Sequence, residues 1–428
     1  MIKLTAIADD LTGANDTALQ FAKRNIKSSV KINFRNAENT ISDVIIVDSD
    51  SRDLTAQEAY CKVSELSKLL QPYDSICVYK KMDSTLRGNI GAEIQAMADV
   101  YNPDIVIIAP AYPTNQRTTI GGYHMMQGKP LELTEIANSP KTPVHDSYIP
   151  DILNKQVCNT NIGILKFNVI SHGRDAVFAK LTELIENDKT WIVCDILEEE
   201  HFIIILDAVR RLGLQKILWA GSAGLADYIP YYYEWQGEYV QEISNRNGAV
   251  LICAGSVSHT TQLQVRHLKQ HSDIQTIQIE GSRLLLEADA IKEYADKIMV
   301  YISQGHDVMI YSAETDADVK KTVETGRNLG LNNKEVSEII AGKLSMIIKL
   351  LELESFAGMV ITGGDIAIHI CRSIGVDDIE IVKEVEPGVP LGIMRGEKVP
   401  PLLIVTKAGA FGKEDVFIKA LDMIKNNK

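Results

Sequence analysis

The 428-residue chain lacks most of the features that mark secreted, membrane or nucleic-acid-binding proteins. It has six cysteines (Cys61, Cys77, Cys158, Cys194, Cys253 and Cys371), none in a C-x-x-C pair. A disulfide framework or a zinc site is therefore not expected. Cys77, Cys194, Cys253 and Cys371 lie in apolar runs and are expected to be buried as small hydrophobes. No apolar run approaches the ~20 residues that span a bilayer. The start, MIKLTAIADDLTG, turns acidic too early for a signal peptide. A cytoplasmic protein without a membrane partner is expected. Positive charge is also scarce, with a formal net charge of −13. General affinity for nucleic acid needs a basic face, so none is expected, although a site can be locally basic on an acidic protein. His124 and His145 have no partner at metal-ligand spacing, so no metal-ligating side chains are assigned.

The familiar nucleotide motifs are missing too. There is no G-x-x-x-x-G-K-[ST]: Gly412-Lys413 is followed by Glu414. There is no G-x-G-x-x-G and no protein-kinase signature. These absences exclude, on motif grounds, a Walker-type ATPase, a standard dinucleotide binder and a protein kinase.

What is present is a repeated alternation of strand, loop and helix. Short apolar runs occur at residues 4–8, 44–47, 76–79, 105–109, 191–194 and 217–220. A second group lies at 249–254, 308–311, 359–361 and 402–405. Between them runs helical periodicity, clearest in Val336, Ile339, Ile340, Leu344, Ile347, Ile348 and Leu351. The pattern predicts two α/β domains with largely parallel sheets. A chain this long is expected to divide, and the polar stretch 236–248 sets the expected domains at 1–238 and 248–428. Residues 121–150, rich in turn formers, are expected to form a long functional loop with short helical pieces.

Ligands of open α/β sheets sit at the carboxyl ends of strands, so the residues just after the apolar runs carry the functional reading. In the first block, Asp9 and Asp10 follow the first run, before a helix expected over 14–23 and capped by Thr12 or Asn15. Their carboxylates suit proton acceptance or hydroxyl binding; which of the two faces the site depends on strand register. The segments DSDSRDL and KKMDSTLRGN bring Arg52, Lys80, Lys81, Asp83, Ser84 and Arg87 to the same edge. Cations for a carboxylate beside Asp and Ser for hydroxyls suit a compact hydroxy acid. Arg117 lies in a further loop of ligand-binding character, PAYPTNQRTTIGGYH. The bland alternative, an exposed salt-bridged loop, serves for either cluster alone better than for both.

In the second block, three strand–glycine–helix turns follow apolar runs: Gly255-Ser256-Val257-Ser258, Thr362-Gly363-Gly364-Asp365 and Thr406-Lys407-Ala408-Gly409. Any one is an ordinary α/β turn. Three in one block suit a phosphate chain, since glycine lets backbone approach closely and helix N-termini favour anions.

The motifs IADDLTGANDTA, DSDSRDL, KKMDSTLRGN, APAYPTNQRTT with GGYHMMQGKPL, GSAGLA, CAGSVSHTT, ITGGD, EPGVPLG and VTKAGAFG occur in one order along residues 1–412. In these the chain resembles the four-carbon acid sugar kinase family. The resemblance implies an N-terminal acid-sugar domain, a C-terminal ATP domain and an active site in the cleft between them. It implies ATP-dependent phosphorylation of the terminal hydroxyl of D-threonate, D-erythronate or a 3-oxo relative. It implies substrate contacts from Asp10, Arg52, Lys81, Met82, Asp83 and Ser84, and ATP contacts from Ser256 or Ser258, the turn of Gly363, Gly364, Asp365 and Ile366, and Gly409. The segments Thr114-Asn115-Gln116-Arg117 and CDILEEEH depart from the family pattern and bear on which acid is used. On this reading Asp10, ahead of Asp9, is the catalytic base; Arg52 and Lys81 hold the carboxylate; Mg²⁺ bridges the phosphates. Competing readings are an NAD-dependent dehydrogenase of similar acids, disfavoured by the missing glycine motif, and a non-catalytic sugar-acid sensor, which has no need of three phosphate-type turns. Self-association into a homo-oligomer is left open.

Overall fold

The computed structural model describes residues 1–34, 42–139, 141–157, 160–240 and 246–426. Cys158, Pro140 and residues 241–245 of the expected linker lie outside the described residues. The chain forms two compact units, one of Met1–Ser28 with Phe34–Glu238 and one of Ser29–Asn33 with Tyr239–Lys428. Both are α/β with largely parallel strands.

In the first unit the parallel strands run in the order Val44–Asp48, Leu4–Ala8, Cys77–Lys81, Ile217–Gly221, Ile105–Ala109, Trp191–Cys194, Ile162–Leu165. Leu4–Ala8, Val44–Asp48 and Ile105–Ala109 are buried along their whole length, which explains their largely apolar character. From Leu4–Ala8 the chain goes to the neighbour on one side and then returns to Cys77–Lys81 on the other. That reversal opens a crevice at the carboxyl ends of these two strands. Asp9, Asp10 and the residues after Lys81 emerge there.

The following helix runs Leu11–Ala22, beginning three residues earlier than the periodicity suggests. Its N-cap is Asp10, not Thr12 or Asn15: Asp10 Oδ1 accepts from Gly13 N at 2.9 Å. Helix Ala56–Leu70 starts in a Thr55–Glu58 capping box. Helix Ile90–Tyr101 buries Ile90, Ile94 and Met97, and also Glu93, on the face toward the sheet.

Residues 117–130 are more regular than a loop. Strands Arg117–Ile120, Tyr123–Met126 and Lys129–Pro130 form a small antiparallel sheet. Gly121 and Gly122 both have positive φ, +61° and +81°, as a two-residue hairpin turn of the primed type requires. Short 3-10 pieces follow, as expected.

The second unit has parallel strands Gln275–Gln278, Val308–Tyr311, Ala249–Ala254, Phe356–Thr362 and Val399–Lys407, then antiparallel Val389–Gly396 and Asp378–Glu386. Gln275–Gln278 and the last two were not anticipated: Gln275–Gln278 and Asp378–Glu386 are rich in polar and charged residues, and Pro390 and Gly392 interrupt the apolar run of Val389–Gly396. Ser29–Asn33 packs with this unit: Ile32 N donates to Asp377 O at 2.9 Å, and Lys31 pairs with Asp378 at 3.5 Å. No shift of composition marks that crossing. The strand order reverses between Ala249–Ala254 and Phe356–Thr362, which places Gly255–Ser256 and Gly363 at this sheet's own crevice. Cys77, Cys194, Cys253 and Cys371 are buried, whereas Cys61 is exposed.

Candidate functional site

The first unit gathers the predicted acid-binding residues at its crevice. Asp9 and Asp10 are consecutive at a strand end, so they take opposite environments. The Asp9 side chain is 2% exposed and that of Asp10 22% exposed. Register therefore selects Asp10 as the accessible carboxylate and makes Asp9 part of the wall. Arg52 Nε donates to Asp9 Oδ2 at 2.7 Å, and Arg52 Nη2 to Asp10 Oδ1 at 2.8 Å. Asp83 Oδ1 lies 3.5 Å from the same Nη2. Arg52 is thus an organiser of three carboxylates as well as a cation at the edge. Part of its five-donor fork is already committed.

These contacts set the two carboxyls apart. Burial favours the neutral form of both. At Asp9 the cations Arg52, Lys81 and Lys80 outweigh burial and hold the carboxyl below its ordinary value. At Asp10 burial prevails over Arg52, with Asp9 and Asp83 adding to it, and the carboxyl is held above its ordinary value. Two adjacent acids pushed in opposite directions mark a site able to handle a proton. Both hydrogen bonds to Asp10 go to Oδ1, so Oδ2 is the oxygen left to accept from a ligand.

Lys80 and Lys81 alternate on their strand and point to opposite faces. The sequence pattern groups Lys80 with the edge cations; the fold removes it. Lys80 is fully buried and pairs with Glu93 at 2.8 Å, both side chains at 1% exposure or less. Glu93 Oε1 accepts from Ser51 Oγ at 2.6 Å, and Ser51 contacts Ser49 at 2.7 Å. A charge this deep needs a partner. Lys80→Met alone leaves Glu93 unpaired, and the first unit is expected to lose ~3–5 kcal/mol of stability. The double change Lys80→Met, Glu93→Gln is expected to recover most of it, read from urea midpoints as a double-mutant cycle.

Lys81 Nζ sits at the first turn of the Leu11–Ala22 helix. A Cβ on Gly13 would stand 2.6 Å from Lys81 Nζ and 2.6 Å from Asp10 Oδ1. Glycine is needed here for space, so that the Asp10 carboxylate and the Lys81 amine share one seat. Neither Gly13 nor Glu93 is singled out by sequence, since a helical glycine and a helical glutamate are both commonplace.

The loop after Lys81 is held from inside. Asp83 Oδ2 accepts from Thr85 Oγ1 at 2.5 Å and Arg87 Nε at 2.9 Å, and Asp83 Oδ1 from Arg87 Nη2 at 2.9 Å. Burial opposes ionisation of Asp83, but Arg87 and Arg52 win and hold it well below its ordinary value. Arg87 is therefore a clamp on Asp83. Met82 corrects the expectation most clearly: its side chain is 0% exposed among Ile7, Val47 and Leu86 in the core. It can anchor the turn but cannot meet a ligand through its thioether. Ser84 is half-buried, and its carbonyl accepts from His124 Nε2 at 2.9 Å. A carbonyl can only accept, so Nε2 carries the proton and Nδ1 faces Thr119 Oγ1 at 2.9 Å. Burial lowers the His124 pKa to about 4, keeping it neutral. His124 thus ties the small antiparallel sheet to the loop, a role its sequence surroundings did not show. His145 is exposed. Arg117 is half-buried in the same small sheet and donates to the Asn115 carbonyl. Asp195 fixes the hairpin, accepting from Gly121 N at 2.6 Å and Gly122 N at 2.9 Å.

The second unit brings its three glycine turns together. Ser258 caps helix His259–His271, accepting from Thr261 N at 3.2 Å. Its Oγ also donates to Gly409 O at 2.7 Å. Ser256 Oγ accepts from Ser258 N at 3.3 Å. A Cβ on Gly409 would lie 2.2 Å from Ser256 Oγ and 3.1 Å from Ser258 Oγ. Gly363, at φ +100°, precedes helix Gly364–Ile374 and donates its N–H to Lys407 O at 3.0 Å. Its backbone is one that only glycine adopts readily. Asp365 is exposed in the first helical turn, while Ile366 is buried against Gly255, where an added Cβ would meet Ile366 Cδ1 at 2.2 Å. Ile366 is therefore packing under the turn and not a polar contact. Lys407, not assigned to the site from sequence, lies beneath it. Two helix N-termini and a glycine turn converging at a sheet crevice form an anion seat.

Known proteins agree with this division. Residues 4–229 match the model of the family described as sugar-binding N-terminal domain, and residues 251–417 that of the nucleotide-binding C-terminal domain. The chain is 28% identical to the D-threonate kinase of Salmonella typhimurium, covering 99% of each. It is 27% identical to the D-erythronate kinase of Heliobacterium modesticaldum, covering 99% of this chain and 97% of that one. It is 27% identical to the 3-oxo-tetronate kinase of Pectobacterium atrosepticum, covering 98% and 99%. With both halves matched in order by the two domain models, the chain belongs to the four-carbon acid sugar kinase family.

Proposed function

We propose that this protein transfers the γ-phosphoryl group of ATP to the terminal (4-) hydroxyl of a four-carbon sugar acid of the D-threonate, D-erythronate or 3-oxo-tetronate type. One observation carries the assignment of roles. Among the described residues, Asp10 alone combines partial exposure, a carboxyl held above its ordinary value and a place beside Lys81 at the first sheet's crevice.

Asp10 Oδ2 takes the proton of the attacking hydroxyl. The hydroxyl oxygen forms its bond to the γ-phosphorus as the bond to the β–γ bridging oxygen breaks, and ADP departs with that electron pair. Lys81 and the uncommitted donors of Arg52 hold the acid's carboxylate, with Arg117 adding positive charge nearby. Asp9 fixes Arg52. Asp83 and Arg87 shape the loop that offers Ser84 to a substrate hydroxyl. In the second unit, Ser256, Ser258, Gly363, Gly364 and Gly409 cradle the phosphates with N–H and O–H groups. No group of three or more metal-ligating side chains occurs among the described residues. Where a Mg²⁺ accompanies the nucleotide, Asp365, exposed in the first turn of its helix, would contact its water shell, and the ion would supply neutralisation of phosphate charge. We place the reaction in the cytoplasm, where ATP is supplied. No helix among the described residues is long and apolar enough to cross a membrane.

An ATP-consumption screen over four-carbon aldonic acids and their 3-oxo forms tests the assignment. ADP release and a 4-phosphorylated product are expected with at least one acid. Absence of ATP turnover with every member overturns it.

A further inference from the structure

Lys407 differs from Lys80 in what surrounds its amine. Lys80, equally deep, is matched by Glu93. Lys407 is 1% exposed, and no carboxylate lies within ion-pair distance of it among the described residues. Its Nζ donates to Ala408 O at 3.0 Å, Gly409 O at 3.3 Å and Thr362 Oγ1 at 3.4 Å. Phe417, from the Val416–Asn426 helix, lies with its ring centroid 5.9 Å away. The groups facing the amine are thus Thr362 from the neighbouring strand, Phe417 from the helix and its own turn; none of them titrates. An ammonium buried without an anion is costly, and burial alone lowers the Lys407 pKa to about 7.

The Gly409 carbonyl takes three donors: Ser258 Oγ at 2.7 Å, Thr261 Oγ1 at 3.1 Å and Lys407 Nζ at 3.3 Å. The Ala408 carbonyl takes Lys407 Nζ and Phe411 N. A trans peptide sets its C=O and the following N–H on opposite sides. Holding both carbonyls inward therefore turns the Gly409 and Ala410 N–H groups outward. Neither N–H finds a protein acceptor among the described residues. Successive outward N–H groups form an anion-binding concavity.

We propose that Lys407 is a positioning residue of the nucleotide site, which draws the Ala408 and Gly409 carbonyls inward so that the Gly409 and Ala410 N–H groups meet a phosphate, and which takes up a proton as that phosphate binds. The proposal rests on the reading of the second unit as the nucleotide site. An incoming polyanion supplies the negative charge that the fold leaves out, and so favours the protonated amine.

Calorimetry of the full chain with the Mg²⁺ complex of β,γ-imido-ATP tests it. Titrations run at pH 8, where a terminal phosphate is already ionised, in two buffers of different ionisation enthalpy. The wild type is expected to take up close to one proton per nucleotide. Lys407→Met is expected to lose that uptake and to raise the KM for ATP about 10–100-fold, with the KM for the acid unchanged. Its unfolding midpoint should equal or exceed the wild-type value, because a buried amine has gone. Lys407→Arg stays charged at this pH; it should bind nucleotide more tightly than the Met variant, yet take up no proton. Proton uptake that persists in either variant, or unchanged ATP affinity in Lys407→Met, overturns the proposal. A wild type that binds the acid but gives no heat with nucleotide overturns the nucleotide reading itself, a separate outcome.

Discussion

Asp10→Asn is expected to lower kcat by ~10²–10⁴ while leaving the fold intact. Asparagine retains an oxygen to accept from Gly13 N, so the helix cap survives. Arg52 keeps Asp9 at 2.7 Å and Asp83 at 3.5 Å, so it is not left with an unmatched charge. Stability should not fall near neutral pH. A carboxyl whose folded pKa is raised binds its proton more readily in the folded state, so its ionisation disfavours folding as pH rises. Removing it takes that cost away.

The pH profile gives the sharper test. Only ionised Asp10 accepts a proton, and burial, with Asp9 and Asp83, holds its carboxyl above the ordinary value. The acid limb of kcat/KM should therefore lie above the usual aspartate range, and activity should fall as pH drops through it. In Asp10→Asn that limb should vanish from the residual activity. Asp9 and Asp10 titrate as a linked pair, so Asp9→Asn should move the limb instead of abolishing it. An Asp10→Asn enzyme with wild-type kcat and an unchanged limb removes Asp10 from the role of base.

Gly409→Val is expected to weaken ATP binding by roughly 100-fold or more, equivalent to at least about 2.8 kcal/mol. The reason is space: the Cβ would meet Ser256 Oγ at 2.2 Å and Ser258 Oγ at 3.1 Å. Relief requires moving the turn, and with it the three donors that fix the Gly409 carbonyl. The residues proposed to hold the acid lie in the other unit, so equilibrium binding of the acid should be unchanged. Thermal shift with ATP alone and with the acid alone separates the two. Normal ATP affinity in this variant rejects the assigned phosphate seat.

The candidate site was legible in the sequence where chemistry stands at a strand end. Asp9, Asp10, Arg52 and Lys81 follow apolar runs, and the fold does bring them together within the first unit. The same rule picked out Ser256, Ser258, Gly363 and Gly409, which the second unit brings together. It failed where direction decides. Lys80 and Lys81 are adjacent and chemically identical, yet strand period sends one to Glu93 and the other to the crevice. Met82 lies within a functional motif, but its side chain faces the core. Glu93, Gly13 and His124 carry no local signal, because each matters only through a residue distant in sequence or across a turn.

Apolar periodicity, a property of neighbouring residues, was sufficient on its own to establish two α/β blocks and to place most of their parallel strands, though not the exact ends. Motif order along the chain was sufficient to establish the family. Strand order, the crossing of Ser29–Asn33 into the second unit, the contrast in exposure between Asp9 and Asp10 and the burial of Lys407 came only with tertiary structure. Each of these depends on which distant groups surround a residue, and it is that surrounding dielectric and charge that set how readily a carboxyl or an amine holds its proton.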